Sequence, residues 1–267
     1  MDLNEEIKHR IRNNIPLSVS KIGSERLEAI NSYLSNNNSD VSSGLHINSG
    51  VFPTGSNPSF FTTFVNGMKQ LDYINIPGGQ LHTNIGTIKR MDNYKALFPC
   101  QFQNPWTEEL RGKTVLAISP FTKSIGYQFN RRELVWGDKV KKIMPFNLVT
   151  LKAPLSYAIC NEEERKIEFG DNKSWTDVYN DLTKQMNDID FDLLMVGAGA
   201  YGIPLCSYAK SLGKIGIDTG GGTQLIFGIR GGRWRTNHSE LFNEHWILPS
   251  KEETPSGVNK VEGGCYW

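Results

Sequence analysis

The sequence has little cysteine, and the cysteines that it has are far apart. Cys100, Cys160, Cys206 and Cys265 form no CxxC pair. Zinc modules need closely spaced ligand pairs, and disulfide frameworks are typical of small secreted domains. We therefore expect four free thiols in a reducing compartment.

Long hydrophobic runs are also missing. The longest apolar stretches, such as Phe191–Ala200, are too short to cross a bilayer. The first residues include Asp2, Glu5 and Glu6 instead of a basic segment followed by an apolar one. These features predict no membrane span, no secretory signal and a cytoplasmic location.

An excess of charge of one sign is absent as well. The chain has 29 basic and 28 acidic residues, a formal net charge of +1. Binding to a nucleic acid duplex usually needs a strong basic excess, because counterion release drives it. Two short basic clusters are present, at Lys139, Lys141 and Lys142 and at Arg230, Arg233 and Arg235. They favour a small phosphate-bearing ligand, and we expect no nucleic acid partner.

The residues that are present predict an α/β protein. Hydrophobic residues make up 38% and charged residues 21%, as in globular proteins. We find no internal repeat and no clear linker, which favours a single domain over residues 1–267. Hydrophobic periodicity predicts helices at 3–13, 25–34, 58–73, 122–135, 175–188 and 203–212, with a polar loop at 35–43. It predicts strands at 16–22, 112–121, 146–151, 191–196 and 214–218. The expected fold is Rossmann-like, with a mostly parallel sheet flanked by helices.

A glycine motif follows one of the predicted strands. Gly197, Gly199 and Gly202 form a GxGxxG that includes Tyr201 and opens a helix, and Asp218 ends the next strand. Small residues let the backbone approach a ligand, and the amides of a helix N-terminus attract an anion. Asp218 is placed where an acid would bind a ribose. The alternative is that these glycines only allow close packing of strand and helix.

A second glycine loop comes directly after Asp218. It contains Gly220, Gly221 and Gln224, and Arg230 and Arg233 follow it. In open α/β sheets, ligands collect at the carboxyl ends of the strands. Arginine binds phosphate in a bidentate way and could neutralise a departing diphosphate, although both could also be ordinary surface residues.

Acids also follow the first predicted strand. Gly23 and Ser24 form a turn in which Ser24 is expected to cap the helix, and Glu25 and Glu28 lie in its first turns. Such carboxylates suit Mg²⁺ or Mn²⁺, but acids are also favoured there by the helix dipole alone. The histidines His46, His82, His238 and His245 are isolated and form no zinc motif.

Several of these segments resemble GT-D-type glycosyltransferase-like proteins from polysaccharide loci. The resemblance rests on Val196–Leu205, Lys214–Trp234, Gly112–Phe121 with Gln128 and Arg131, and the closing Trp246–Trp267. It covers most of the chain from about residue 15. It implies a GT-D-like fold, a nucleotide-sugar donor and a glycan acceptor.

The same resemblance implies a DxE motif after the first strand that binds a divalent cation and the nucleotide sugar. Here Ser24 stands where the aspartate is expected, and Arg26 stands where the glutamate is expected. Glu25 or Glu28 could substitute in a shifted register, or the metal could be lost. The resemblance implies a dependence on Mn²⁺ or Mg²⁺, and these two departures alter the motif that would bind the cation.

The leading hypothesis is a glycosyltransferase that moves a sugar from a nucleotide diphosphate sugar, with a UDP-sugar as the expected donor, to a glycan. The expected nucleotide-binding residues are Gly23, Ser24, Gly197, Gly199, Tyr201, Gly202, Asp218, Gly220, Gly221 and Gln224. The expected catalytic residues are Glu25, Glu28, Arg230 and Arg233. The alternatives are an NAD-dependent oxidoreductase and a non-catalytic nucleotide-sugar-binding protein of glycan assembly, and homo-oligomer formation stays open.

Overall fold

The computed structural model describes residues 2–35, 42–53, 58–76, 81, 88–91 and 94–267. His82 and most of the expected polar loop 35–43 lie outside these residues. The strands are β1 (Leu17–Lys21), β2 (Tyr73–Asn75), β3 (Lys89–Met91), β4 (Thr114–Ser119), β5 (Asn147–Lys152), β6 (Leu193–Val196) and β7 (Ile215–Asp218). The helices are α1 (Leu3–Arg12), α2 (Ser24–Leu34), α3 (Ser42–Ser49), α4 (Pro58–Gln70), α5 (Thr122–Asn130), α6 (Arg132–Trp136), α7 (Val140–Ile143), α8 (Glu162–Phe169), α9 (Trp175–Asn187), α10 (Gly202–Ser211), α11 (Gly222–Ile226) and α12 (Gly232–Asn237).

The strands form one seven-stranded sheet in the order β3-β2-β1-β7-β6-β4-β5. Every neighbouring pair is parallel. The expected Rossmann-like α/β architecture is therefore confirmed. The predicted strand–helix–strand unit is also confirmed, since β6, α10 and β7 follow one another and β6 pairs with β7.

Helices cover both faces of the sheet, as the sequence of its central strands requires. Leu116 and Ile118 of β4 belong to one apolar cluster, and Val115 and Ala117 belong to the other. Successive side chains of a strand point to opposite faces, so a strand between two helix layers is apolar throughout. We call the two clusters the first layer, which contains Ile118, and the second layer, which contains Ala117.

Two predicted helices end earlier than their apolar periodicity suggests. The helix expected at 58–73 stops at Gln70, and β2 begins at Tyr73. Between them, the Asp72 carboxylate accepts a hydrogen bond from the Ser18 amide at 2.9 Å, which fixes the chain beside β1. The helix expected at 122–135 is divided at Arg131, whose φ of −113° and ψ of 16° are not helical.

Candidate functional site

A cavity of about 560 Å³ lies where the central strands end. Its walls include residues that follow the carboxyl ends of β1, β7, β6 and β4, among them Gly23, Gly220, Gly197 and Pro120. The volume falls in the usual range for small-molecule sites, roughly 300–1,000 Å³. This part of a parallel sheet is where open α/β proteins bind ligands.

The strand connections explain why a crevice opens there. The helix after β6, α10, packs in the first layer through Ile203, whereas the helix after β4, α5, packs in the second layer through Ile125. Because β6 and β4 are neighbours, the chain leaves their ends in opposite directions. That arrangement is the topological switch point at which ligands bind in such sheets.

The first glycine loop borders the cavity in part. Gly197, Gly199 and Tyr201 line the cavity, whereas Gly202 does not.

A Cβ on Gly202 would lie 2.4 Å from Oδ2 of Asp218, so this glycine makes room for a carboxylate. A Cβ on Gly197 would lie 2.5 Å from the Gly220 carbonyl oxygen. Intramolecular packing therefore accounts for Gly197 and Gly202, and the ring of Tyr201 stacks on Trp175 at a centroid distance of 5.0 Å.

The second glycine loop lines the cavity and holds the C-terminal segment against it. Gly220, Gly221 and Gln224 are all lining residues. Gln224 Nε2 donates to the Tyr266 carbonyl at 2.8 Å, and Trp234 Nε1 donates to Gln224 Oε1 at 3.0 Å. Both ends of the Gln224 amide are thus engaged, which makes it an anchor for the cavity wall.

Asp218 lies at the floor of the cavity and is only 4% exposed. Its carboxylate accepts hydrogen bonds from Ser20 Oγ at 2.7 Å and from the Gly220 amide at 3.0 Å. Burial raises the pKa of Asp218, while the Ser20 hydrogen bond and the charges of Lys21 and Arg26 act against that rise. Asp218 is a buried acid that is held in place by its neighbours.

Lys21 ends β1 beside this acid and lines the same cavity. Its ammonium lies 5.6 Å from the centroid of the Tyr94 ring and 5.7 Å from that of Phe98. Burial lowers the pKa of Lys21, and the nearby charge of Asp218 opposes this effect. Within the described ranges, the Lys21 ammonium forms neither a hydrogen bond nor an ion pair.

The turn after β1 brings a further cation to the cavity instead of a pair of acids. Gly23, Ser24, Glu25 and Arg26 line it, but Glu28 is exposed and does not. Helix α2 begins one residue earlier than expected, with Gly23 at the N-cap and no capping side chain. Arg26 Nη1 donates to Ser49 Oγ at 3.2 Å.

Glu25 is occupied by a neighbouring helix. Its Oε1 accepts a hydrogen bond from Asn48 Nδ2 at 2.6 Å. With Glu28 outside the cavity, the two acids expected to bind a metal do not face one ligand position together. Across the part of the chain that the structure describes, no three His, Cys, Asp or Glu side chains are grouped so as to hold a metal ion. Among the described residues, the two acids near the position of the DxE motif therefore do not form the cation site that the resemblance implies.

The two expected arginines have different positions. Arg233 lines the cavity, where its guanidinium contacts the Glu262 carboxylate and donates to the Tyr266 hydroxyl at 3.1 Å. Arg230 is not a lining residue, and its amide donates to the Ile247 carbonyl at 2.6 Å. The structure therefore brings Arg233, but not Arg230, to the site.

Sequence reasoning missed Lys21, Arg26 and Glu262 as parts of the site. Lys21 carried one available signal, because it ends a buried strand immediately before a turn, where ligands bind in parallel sheets. In the sequence, Arg26 stands out only as a departure from the DxE motif that the resemblance implies. Glu262 lies 241 positions after Lys21 in the chain but lines the same cavity. No local motif indicates that these two residues meet.

The remaining expectations concern cysteine, histidine and the membrane. All four cysteines are free, as expected. His46 Nδ1 lies 3.0 Å from the Val51 carbonyl oxygen, and His238 Nε2 lies 3.1 Å from Gln101 Nε2, so both have structural partners. No helix in the described ranges is long and apolar enough to span a membrane.

Nothing matches this chain in comparisons with protein family models, with curated proteins or with solved structures.

Proposed function

We propose that the chain is a glycosyltransferase that takes a sugar from a nucleotide diphosphate sugar, with UDP-sugars as the first candidates, and transfers it to a glycan. One observation carries the proposal: the cavity at the switch point is lined by three cationic side chains, those of Lys21, Arg26 and Arg233, beside the second glycine loop. A crevice with several cations suits an anionic ligand, because charge-assisted hydrogen bonds are among the strongest that proteins make.

The proposed reaction exchanges one bond for another at the anomeric carbon. The bond from this carbon to the diphosphate oxygen breaks, a bond to an acceptor hydroxyl oxygen forms, and the hydroxyl proton and the nucleoside diphosphate are released to solvent. The departing nucleoside diphosphate gains negative charge, so cations near its phosphates stabilise the transition state more than the ground state. Among the described residues, Lys21, Arg26 and Arg233 line the cavity and carry a positive charge that can contribute to that stabilisation.

The oxidoreductase alternative has less support from the same residues. A ribose-binding acid must offer carboxylate oxygens to the ribose hydroxyls. Both oxygens of Asp218 already accept hydrogen bonds, from Ser20 and from Gly220, and the side chain is buried against Gly202. The glycines that gave the NAD fingerprint are used here largely for packing within the chain.

Titration calorimetry with UDP, UDP-glucose, UDP-N-acetylglucosamine and NAD tests the ligand class. We expect the UDP compounds to bind and NAD to bind at least about tenfold more weakly, a difference of about 1.4 kcal/mol. Tight NAD binding without UDP binding would reverse the ranking. A chain that binds UDP-sugars but neither hydrolyses nor transfers them over a panel of glycan acceptors is the non-catalytic glycan-assembly protein instead.

A further inference from the structure

We propose that Lys21 and Arg26 bind the phosphates of the donor directly, so that this protein binds its nucleotide without a divalent cation. This inference rests on the proposed function and deepens it. It also reassigns the phosphate contacts from Arg230 and Arg233, the residues that the sequence favoured, to the turn after β1.

The first support is that the two side chains have few partners within the described part of the chain. Lys21 and Arg26 both line the cavity, and both are partly buried. Among the described residues, neither forms an ion pair, and the only side-chain hydrogen bond is the one from Arg26 to Ser49 Oγ at 3.2 Å. A lysine has three N–H donors and an arginine has five, so most donors of this pair are free for a ligand.

The second support is the geometry of the turn between β1 and α2. A Cβ on Gly23 would lie 3.3 Å from Nη2 of Arg26, so the guanidinium lies directly beside the N-cap of α2. This helix has eleven residues and no capping side chain. Its first amides therefore have no side-chain cap and lie close to the Arg26 guanidinium, and the helix dipole adds to the attraction for an anion.

The third support is that the second glycine loop approaches the same place. A Cβ on Gly220 would lie 2.9 Å from Cε and 3.3 Å from Nζ of Lys21. Gly220 has a φ of +50°, which favours glycine, and the missing side chain leaves the ammonium accessible from the cavity. Lys21 and the Gly220 loop thus form one side of a phosphate position, and Arg26 with the start of α2 forms another.

Arg233 is less suited to this task because it already has partners. It contacts the Glu262 carboxylate and the Tyr266 hydroxyl, which ties the C-terminal segment to α12. The two acids expected to bind a metal do not face one ligand position, since Glu25 accepts a hydrogen bond from Asn48 and Glu28 is exposed outside the cavity. The side-chain cations thus occupy the role that a metal would have at the phosphates.

The test measures UDP binding by calorimetry in EDTA and in Mn²⁺, for the unaltered chain, Lys21→Met and Arg26→Met. We expect the affinity of the unaltered chain to differ by less than about twofold between the two conditions. Each substitution should weaken UDP binding by about tenfold or more, since a hydrogen bond to a charged group is lost. Uridine, which has no phosphate, should bind all three proteins equally.

Arg235→Met is the matched control, because Arg235 is an exposed arginine on α12 that does not line the cavity. It should leave UDP affinity unchanged. Lys21→Arg and Arg26→Lys keep the charge and should retain most of the binding, which covers the case in which a methionine variant does not fold. UDP binding that requires Mn²⁺ and ignores both methionine substitutions would overturn this inference but leave the proposed function standing. No UDP binding under any condition would remove the proposed function itself.

Discussion

Gly202 shows how a single missing methyl group shapes the floor of the cavity. Its Cα faces the Asp218 carboxylate so closely that an added Cβ would lie 2.4 Å from Oδ2 and 2.6 Å from Cγ. Asp218 cannot easily move away, because Ser20 and Gly220 hold its oxygens. The third glycine of the GxGxxG is thus a requirement of packing around a buried acid.

Gly202→Ala should therefore destabilise the protein by about 1–3 kcal/mol, as overpacking in a filled interior usually does. Urea denaturation followed by circular dichroism measures this change. Gly126→Ala in α5 is the control, because a Cβ there meets nothing within 4 Å. It should stabilise the protein by about 0.5–1 kcal/mol through helix propensity. Equal stability of the two variants would contradict the packing explanation.

The affinity for UDP should depend on pH because of the protonation of Lys21. Burial lowers its pKa from the usual 10.5, and the charges of Arg26 and Arg233 act in the same direction. A phosphate binds the protonated amine, so it raises this pKa in the complex. The affinity for UDP should be full below the pKa of free Lys21 and should fall as the pH rises through it, beginning below 10.5.

Calorimetry across the alkaline range measures that fall. The phosphates are fully ionised there, and uridine titrated in parallel corrects for the uracil ring, which also loses a proton at alkaline pH. Lys21→Arg should move the fall to higher pH, because arginine stays protonated above about pH 12. A UDP affinity that is flat up to pH 10.5 in the unaltered chain would show that Lys21 does not contact the phosphates.

At the scale of elements, the central strands and long helices are predictable from the sequence because burial fixes their patterns. The apolar runs of β4 and β6 and the periodicity of α9 need no tertiary information. Strands β2 and β3, at one side of the sheet, have only three residues each, too few for a pattern. Helix α8 is not among the predicted helices, although Asn161 and Glu164 form a capping box that marks its start.

Helix α5 depends on a cap that local sequence does not reveal. Glu253, which is 2% exposed, accepts hydrogen bonds from the Lys123 amide at 2.7 Å and the Ser250 amide at 3.3 Å. It also accepts from the amide and hydroxyl of Ser124. The negative charge at the start of α5 is favoured by the helix dipole. One carboxylate thus joins the C-terminal segment to the helix after β4.

Glu253→Gln should destabilise the protein by about 1–3 kcal/mol, because an amide nitrogen would replace an acceptor among donors that point at it. Thermal unfolding measures the loss. The neighbouring exposed residue provides the control, and Glu252→Gln should change the midpoint far less. A loss of the same size in both variants would indicate a general effect of charge and would contradict capping by Glu253.

At the scale of the whole molecule, the cavity draws on residues from both ends of the described chain. Glycine loops after strands could be predicted, because each is contiguous in sequence. The meeting of Lys21 with Tyr94, and of Arg233 with Glu262, depends on strand order and on the path of the C-terminal segment. The sheet order β1-β7-β6-β4 is what makes distant segments neighbours, and periodicity carries no information about it.

A ligand that contacts segments so far apart should stabilise the fold as a whole. At about 100 times its dissociation constant, UDP should add about 2.7 kcal/mol to the free energy of unfolding. Hydrogen exchange can show where the stabilisation acts. We expect slower exchange with UDP at 21–26, 197–201 and 218–224, because these segments line the cavity.

Helix α1 is the internal reference for that experiment, since none of its residues lines the cavity and its apolar side packs in the second layer. Its exchange should slow only as much as global stabilisation requires. Arg26→Met at the same UDP concentration should show a smaller effect at all three lining segments, because its weaker binding lowers the occupancy. Slowing by UDP that is confined to α1 would place the nucleotide outside this cavity, and the phosphate contacts of Lys21 and Arg26 would then have to be abandoned.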